Sequence, residues 1–522
     1  MTARSVTLGG ASYPVVLPNL RDPRLHVAAV IVSVHVLGQV ALGFRVTVPQ
    51  ILAAILACAI LEVAITFRTT RAFVWPASAM LTGSGVALIL RDVGTRPHEP
   101  WGFDAWYLFA AVAGLSLLSK YVIKYRGSHV FNPSNIGLVV AFLVLGSSRV
   151  EPLDFWWAPL SLPMILAYAV IIVGGFLITR RLRLLGLAAS FWLALAAGLG
   201  ILAMSGHCMV ANWAFAPVCG FDFWRVVVTS PEVMIFLFFM ITDPKTVPAG
   251  QVGRIVFGLA VAATSTLLIA PQTDEFGAKV GLLAGLVIVC AARPLIERVV
   301  PGTGSAADDL RIFLRGSAER SAAPMRAVAG ALAVAVAGVA IVAAGTPARG
   351  TVLPDGVEAL NRPAPAVDPD TLPPITIDPE VIEFDHERAG EGMHEVVVAL
   401  SQNLALESRA LLERDEELLA AIDHGDRLDE MRARLDEAVA TGTTTVERYA
   451  FDAIHVTLLV PFGQQTGLSL GLTGHGTVVT ERYDAAGTLT DSETNSFELT
   501  FATRQATGDR WMLVGVLPPA AP

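Results

Sequence analysis

Residues 47–67 read TVPQILAAILACAILEVAITF, a run with one charged side chain, Glu62. A helix needs roughly 20 mostly apolar residues to cross the hydrocarbon core of a bilayer. Comparable runs recur near 25–43, 73–90, 104–119, 133–148, 158–179, 184–204, 226–241, 252–270, 276–294 and 325–345. The expected fold is an all-α polytopic membrane protein, a ten-helix core followed by one further transmembrane helix. Composition agrees: 53% of residues are hydrophobic and 16% charged, whereas soluble domains carry about 25% charge.

Charge divides the chain. Residues 1–348 hold 25 Lys and Arg against 16 Asp and Glu; residues 349–522 hold 12 against 30. The acidic part is a poor partner for nucleic acid. In the first part the positive-inside rule sets the expected topology. With a cytoplasmic N-terminus, 19 basic residues fall on the cytoplasmic side, among them Arg68, Lys120, Arg180, Lys245 and Arg293. Six fall outside: Arg45, Arg91, Arg96, Arg149, Arg225 and Lys279. Eleven crossings then place the C-terminal domain outside a multi-pass plasma-membrane protein. No cleavable signal peptide is visible, so the first span is expected to serve for targeting.

The expected division is a cytoplasmic tail at 1–24, the membrane core at 25–299, a cytoplasmic loop at 300–324 and the eleventh helix at 325–345. A linker with eight prolines between Pro347 and Pro379 follows over 346–385. Residues 386–522 form an acidic extracytoplasmic domain. There Leu404, Leu411, Leu412, Leu418 and Leu419 have helical spacing, and strand-like runs begin at Thr443. Helices followed by an antiparallel sheet predict a soluble α+β domain, an order that resembles nuclear-transport-factor-2-like folds. Asp452, His455 and His475 have neither triad order nor metal spacing. Cys208 and Cys219 share a predicted outer loop in an oxidising compartment and are expected to pair.

Five stretches carry polarity at span ends, and each has two readings. Lys120 leads through Lys124, Arg126 and His129 to Asn132, Pro133, Ser134 and Asn135. This is either a helix cap with positive-inside anchoring or a hold on the ring edge or phosphate of a flavin. Thr242-Asp243-Pro244 ends a helix in a turn or faces a polar cavity. Glu232, after Ser230-Pro231, is a helix-start acid or an ion or proton ligand. Glu62 is interfacial, near Arg68, or a functional intramembrane carboxylate. Ala77–Gly85, with Thr82, allows close helix packing or leaves room for a flat ring. The polar breaks at Asn132-Pro133 and Asp243-Pro244 suggest an inverted or other internal repeat with a site between its halves.

Over roughly residues 70–300 the chain resembles the NqrB/RnfD family of membrane electron-transport subunits. The resemblance rests on Leu81-Thr82-Gly83 with Leu90-Arg91, on Ser119-Lys120 leading to Phe131-Asn132-Pro133, and on Phe239–Pro244 followed by Gly253-Arg254. His129–Asn135 and Thr229–Glu232 are most similar to the branch labelled enediyne biosynthesis protein UnbU. The resemblance implies ten core helices, a bound flavin, redox partner subunits and electron passage coupled to ion movement. An electron-carrying subunit of an oxidoreductase complex is then expected. Family members carry FMN on a threonine in an outer loop. The corresponding loop here, Gly146–Asp154, has no threonine, so FMN or riboflavin would be noncovalent. The flavin set would be Thr82, Lys120, Asn132, Ser134, Asn135, Thr242 and Asp243, with Glu62 and Glu232 on an ion or proton pathway. The alternatives are a transporter or export component without redox activity, and a membrane anchor for the outer domain.

Overall fold

The computed structural model describes residues 4–8, 10–42, 44–93, 95, 100–147, 149–152, 162–209, 218–299, 323–349, 367, 372–384, 389–459, 469–505 and 510–517. The expected loop 300–324 lies almost wholly outside these residues, and so does the middle of the proline-rich linker; the end of that linker is not extended throughout but holds a strand at Ile375–Ile377 and a helix at Pro379–Phe384. The end of the Gly146–Asp154 loop also lies outside the described residues. The chain forms two compact units, one ending at Thr351 and the other holding residues 352–522.

The first unit opens unexpectedly for a tail. Strands β1 (Arg4–Leu8) and β2 (Ala11–Val16) form a hairpin, and β2 pairs in parallel with β3 (Phe73–Val74). Tyr13, Phe67 and Phe73 pack as an aromatic cluster beside it. Between these strands lie α1 (Pro23–Val40) and α2 (Val48–Thr70). Thr47 and Gln50 close a reciprocal capping box at the start of α2. Leu52, Leu56 and Ile60, one turn apart on α2, are exposed, as a lipid-facing stripe must be.

Helices α3 (Ala77–Ile89), α4 (Trp106–Val122) and α5 (Pro133–Leu145) follow. Strand β4 (Leu90–Asp92) succeeds α3, and a small hairpin of β5 (Lys124–Tyr125) and β6 (Ser128–His129) turns the chain from α4 into α5. Then come α6 (Leu162–Arg181), α7 (Leu185–Met204), α8 (Gly220–Thr229) and α9 (Pro231–Ile235). Helix α9 runs on as a π turn, Phe236–Met240. Helices α10 (Gln251–Ile269), α11 (Glu275–Val299) and α12 (Ala323–Ala344) complete the unit. Among the described residues seven segments are long and apolar enough to cross a membrane: α1, α2, α6, α7, the run from α8 through the π turn, α10 and α11. Helices α3 and α5 have 13 residues each, a rise of about 20 Å at 1.5 Å per residue, short of the ~30 Å core. Helix α3 stops because the chain becomes extended at β4, which pairs with β7 (Val150–Pro152) beyond α5. All three residues of β4 are buried. Extended backbone at membrane depth is tolerated only when protein covers it.

The helix packing repeats. In residues 23–145, α1 packs on α3, α2 on α4, and α4 on α5. In residues 162–299, α6 packs on α9, α7 on α10, and α10 on α11. The equivalent helices α5 and α11 meet across the halves and run antiparallel. Phe142 near the end of α5 touches Phe276 near the start of α11, while Asn135 near the start of α5 bonds to Leu283 further along α11. An antiparallel meeting of corresponding helices is what an inverted repeat would give, and the α5–α11 contact is the seam between the two halves.

The second unit begins with β10 (Ile375–Ile377) and α13 (Pro379–Phe384). Helices α14 (Glu391–Glu413), α15 (Glu416–Ile422) and α16 (Asp426–Thr441) come next. Four antiparallel strands follow: β11 (Thr444–Leu458), β12 (Ser469–Tyr483), β13 (Leu489–Gln505) and β14 (Trp511–Leu517). They form a five-stranded sheet in the order β10-β11-β12-β13-β14, with β10 parallel to β11. The helix-then-sheet order is the expected α+β arrangement. The short runs expected separately within 443–460 and 468–483 are continuous strands, because a bulge at Asp452 absorbs the break in alternation. Gly476 makes that stretch of the pair possible: a Cβ there would lie 2.0 Å from the Ala450 carbonyl oxygen. Val396, Val397 and Leu400 of α14 pack against Ile454, Val456, Leu472 and Phe501.

This unit also buries charge. Arg427 donates to both carboxylate oxygens of Glu407, at 2.7 and 2.6 Å, and to Glu430 at 2.9 Å. Asp423 is wholly buried beside them. Burial first, and then the nearby negative charge of the Glu407 carboxylate, push the Asp423 carboxyl well above the usual range.

Candidate functional site

Asn132 caps α5. Its Oδ1 accepts from the Asn135 amide at 3.3 Å and from Ser134 Oγ at 2.9 Å. A cap uses only the oxygen, which leaves the amide nitrogen to reach elsewhere. Nδ2 crosses to the other half and donates to the Met240 carbonyl at 3.2 Å. Just beyond the π turn, Asp243 Oδ2 lies 3.0 Å from Nε2 of the buried His129. Asp243 Oδ1 accepts from the Lys245 amide at 3.0 Å, closing an Asx turn. Thr242 Oγ1 turns back to the Phe238 carbonyl at 2.5 Å. Asn135 Nδ2 donates to the Leu283 carbonyl at 3.0 Å. The polar breaks of the two halves therefore meet directly, through Asn132–Met240 and His129–Asp243.

Glu62 and Lys120 meet elsewhere, between α2, α3 and α4. Lys120 Nζ lies 3.1 Å from Glu62 Oε1 and 3.4 Å from Ser78 Oγ, and Tyr121 donates to the same carboxylate. Both charged side chains are largely shielded, 13% and 14% exposed. Each offsets the other's burial, which answers the cost of a carboxylate in the second span. Thr82 does not join either group; its hydroxyl donates to the Ser78 carbonyl at 3.2 Å. Beside it, a Cβ on Gly83 would lie 2.4 Å from the Ala54 carbonyl oxygen of α2. That contact uses the small-residue stretch for close packing. Gly83→Val should destabilise the α2–α3 contact by about 1–3 kcal/mol, read as a lower midpoint for detergent-solubilised protein in a thermal aggregation assay.

Glu232 sits at the far end of the seam. Lys279 Nζ of α11 lies 3.2 Å from its Oε1 and also binds Glu275, one turn back on α11. Between this group and Met240 is a cavity of about 30 Å³, lined largely by Ile89, Ile235, Phe236, Leu282 and Leu283. Phe236 and Met240 bound the π turn, and the Ile241 amide reaches back five residues to the Phe236 carbonyl at 3.0 Å. π turns are frequent at functional sites.

Cys208 and Cys219 are joined by a disulfide and face each other across the β8 (Cys208–Met209) and β9 (Val218–Cys219) pair. Cys208→Ser should lower stability by roughly 2–4 kcal/mol, seen as a reductant-insensitive drop in melting temperature. In the second unit His455 Nε2 lies 2.9 Å from Asp378 Oδ1 in a half-exposed pair. Asp452 sits in the bulge, and His475 faces Ala453 and Glu498 across the sheet. Among the described residues no group of three His, Cys, Asp or Glu side chains is placed to hold a metal ion.

The seven residues expected at a flavin do not make one slot. Asn132, Ser134 and Asn135 share a cap, and Asn132 touches Met240 directly, so a ring fits there only if those bonds break. Thr82, Thr242 and Lys120 are bonded to their own helices or to Glu62. The neighbouring cavity has room for about one water.

Sequence reasoning placed His129 in the candidate stretch without pairing it with Asp243, and it missed Tyr121, Glu275 and Lys279 as members of the site, and His35, whose Nε2 lies 3.3 Å from the Ser84 carbonyl on α3. Glu275 and Lys279 stand four apart at a helix start, a signal that was legible. No family model and no curated protein matches the sequence.

Proposed function

We propose that the chain is an ion-translocating membrane subunit whose path follows the seam of the inverted repeat. The observation that supports this reading is the placing of ionisable groups at both ends of one helix contact. Glu232, Lys279 and Glu275 stand at one end, His129 and Asp243 at the other, and a small cavity lies between. Ionisable groups inside membrane helices are costly and mark ion or proton paths, and transporter sites lie where repeats meet. In the topology read from the sequence, the Glu232 end faces outward, the His129 end faces the cytoplasm and the C-terminal unit is extracytoplasmic.

The resemblance to electron-transport subunits supports a second element, partner redox proteins and a flavin. The residues as arranged do not fit a ring between Asn132 and Asp243, so no step is routed through one. Cofactor content of detergent-purified full-length protein separates the two forms of the proposal. Stoichiometric flavin makes this an electron-transfer subunit. Flavin-free protein that moves ions in liposomes without an electron donor makes it a transporter on the same scaffold. Flavin-free protein that moves no ion removes both.

A further inference from the structure

An ion path along the seam, the reading on which the choice of ion depends, still leaves that ion open, and the lining narrows it. Hard metal cations bind through about six oxygens. The cavity in the seam is about 30 Å³; Ile89, Ile235, Phe236 and Leu282 line most of it with hydrocarbon, and Glu232 and Lys279 close one end. It has room for about one water and none for a hydrated metal ion, while a bare one would find a single carboxylate, already paired with Lys279, and otherwise an apolar wall.

The entrance argues the same way. Glu232 and Glu275 already hold a cation, the Lys279 ammonium, which lies 3.2 Å from Glu232. A metal ion there would sit beside a fixed like charge. A proton on Glu232 only neutralises one carboxylate and loosens one ion pair. At the other end Asp243 faces the His129 imidazole at 3.0 Å, a pair that passes a proton between its members with no further ligand. Asn135 lies between the ends, bonded to Leu283 of the cavity wall. Its Oδ1 is buried and accepts no hydrogen bond among the described residues, a fitting acceptor for a water hydrogen.

We infer that the charge carried along the seam is a proton and not a metal cation. One proton from outside water adds to the Glu232 carboxylate. It crosses the apolar stretch on a short file of transient waters, one of them in the cavity, and is taken up by the Asp243–His129 pair, which releases one proton to water on the opposite side. No electron is transferred and no covalent bond other than O–H or N–H changes.

The test uses full-length protein in liposomes under a potassium diffusion potential. An internal pH dye and radioactive sodium report in parallel. The expected result is a potential-driven pH change with sodium uptake no higher than in protein-free liposomes. Glu232→Gln slows the pH change at least tenfold. Glu232→Asp retains a measurable rate, which shows that the altered site still assembles. The exposed Asp222→Asn leaves the rate unchanged. Sodium uptake that accounts for the charge moved would overturn the proton assignment and keep the ion path. Movement of neither ion would overturn both. An undiminished pH change in folded Glu232→Gln would remove the proposed entrance.

Discussion

Asp243→Asn should reduce ion movement through the full-length protein by roughly two orders of magnitude, the scale of a lost proton-transfer group. Asparagine is isosteric and keeps the Asx turn to the Lys245 amide, so the helix end should survive. What it removes is the negative charge 3.0 Å from His129 Nε2. His129→Gln should have a comparable effect from the other partner, and the double variant should be little worse than either single one, because the two act as a unit. Flux in liposomes, compared with melting temperature in detergent, distinguishes this from misfolding. A twofold or smaller loss in both single variants, with melting unchanged, would reduce the pair to a structural tie between the halves.

Arg427→Met should cost the C-terminal unit about 3–5 kcal/mol, the penalty for breaking a buried ion pair from one side. Glu407 would be left in the core at 4% exposure, beside the wholly buried Asp423 and without its two guanidinium bonds. Hydrogen exchange across residues 404–431 of the full chain reads this directly, as lost protection confined to that unit. The same cluster sets a pH dependence. Asp423 titrates higher in the folded unit than in the unfolded chain, so the folded state binds the extra proton. Its contribution is complete below the unfolded carboxylate value and declines as pH rises from there through the raised folded value. The groups facing it are Glu407 on α14, Arg427 and Glu430 on α16, and the adjacent His424. Asp423→Asn should flatten that decline. An unchanged slope would show that the proton bound by Asp423 is not what the fold depends on.

Hydropathy located the helical segments of the core because burial in lipid demands long apolar runs, and 47–67 could hardly be read otherwise. It overstated α3 and α5, since a run such as 73–90 looks alike whether its last residues are helical or extended and covered. The N-terminal hairpin escaped notice because its partner, Phe73-Val74, is remote in sequence. Asn132 and Asp243 were visible as polar breaks beside proline. That the two breaks meet, through Asn132–Met240 and His129–Asp243, was not, because the contact depends on the crossing of two halves more than 100 residues apart. Lys279, read as a stray basic residue on the outer side, acquires meaning only beside Glu232. In the second unit the bulge at Asp452 joined strands that alternation alone had divided.

The pairing of Val15-Val16 with Phe73-Val74 has a bearing on synthesis. The opening residues can take their final place only after the ribosome has released the turn that follows α2, by which time two hydrophobic helices have already been made. A fusion partner or epitope attached ahead of Arg4 is thus anchored beside that turn, and its accessibility from either compartment reports the side on which residues 71–76 emerge.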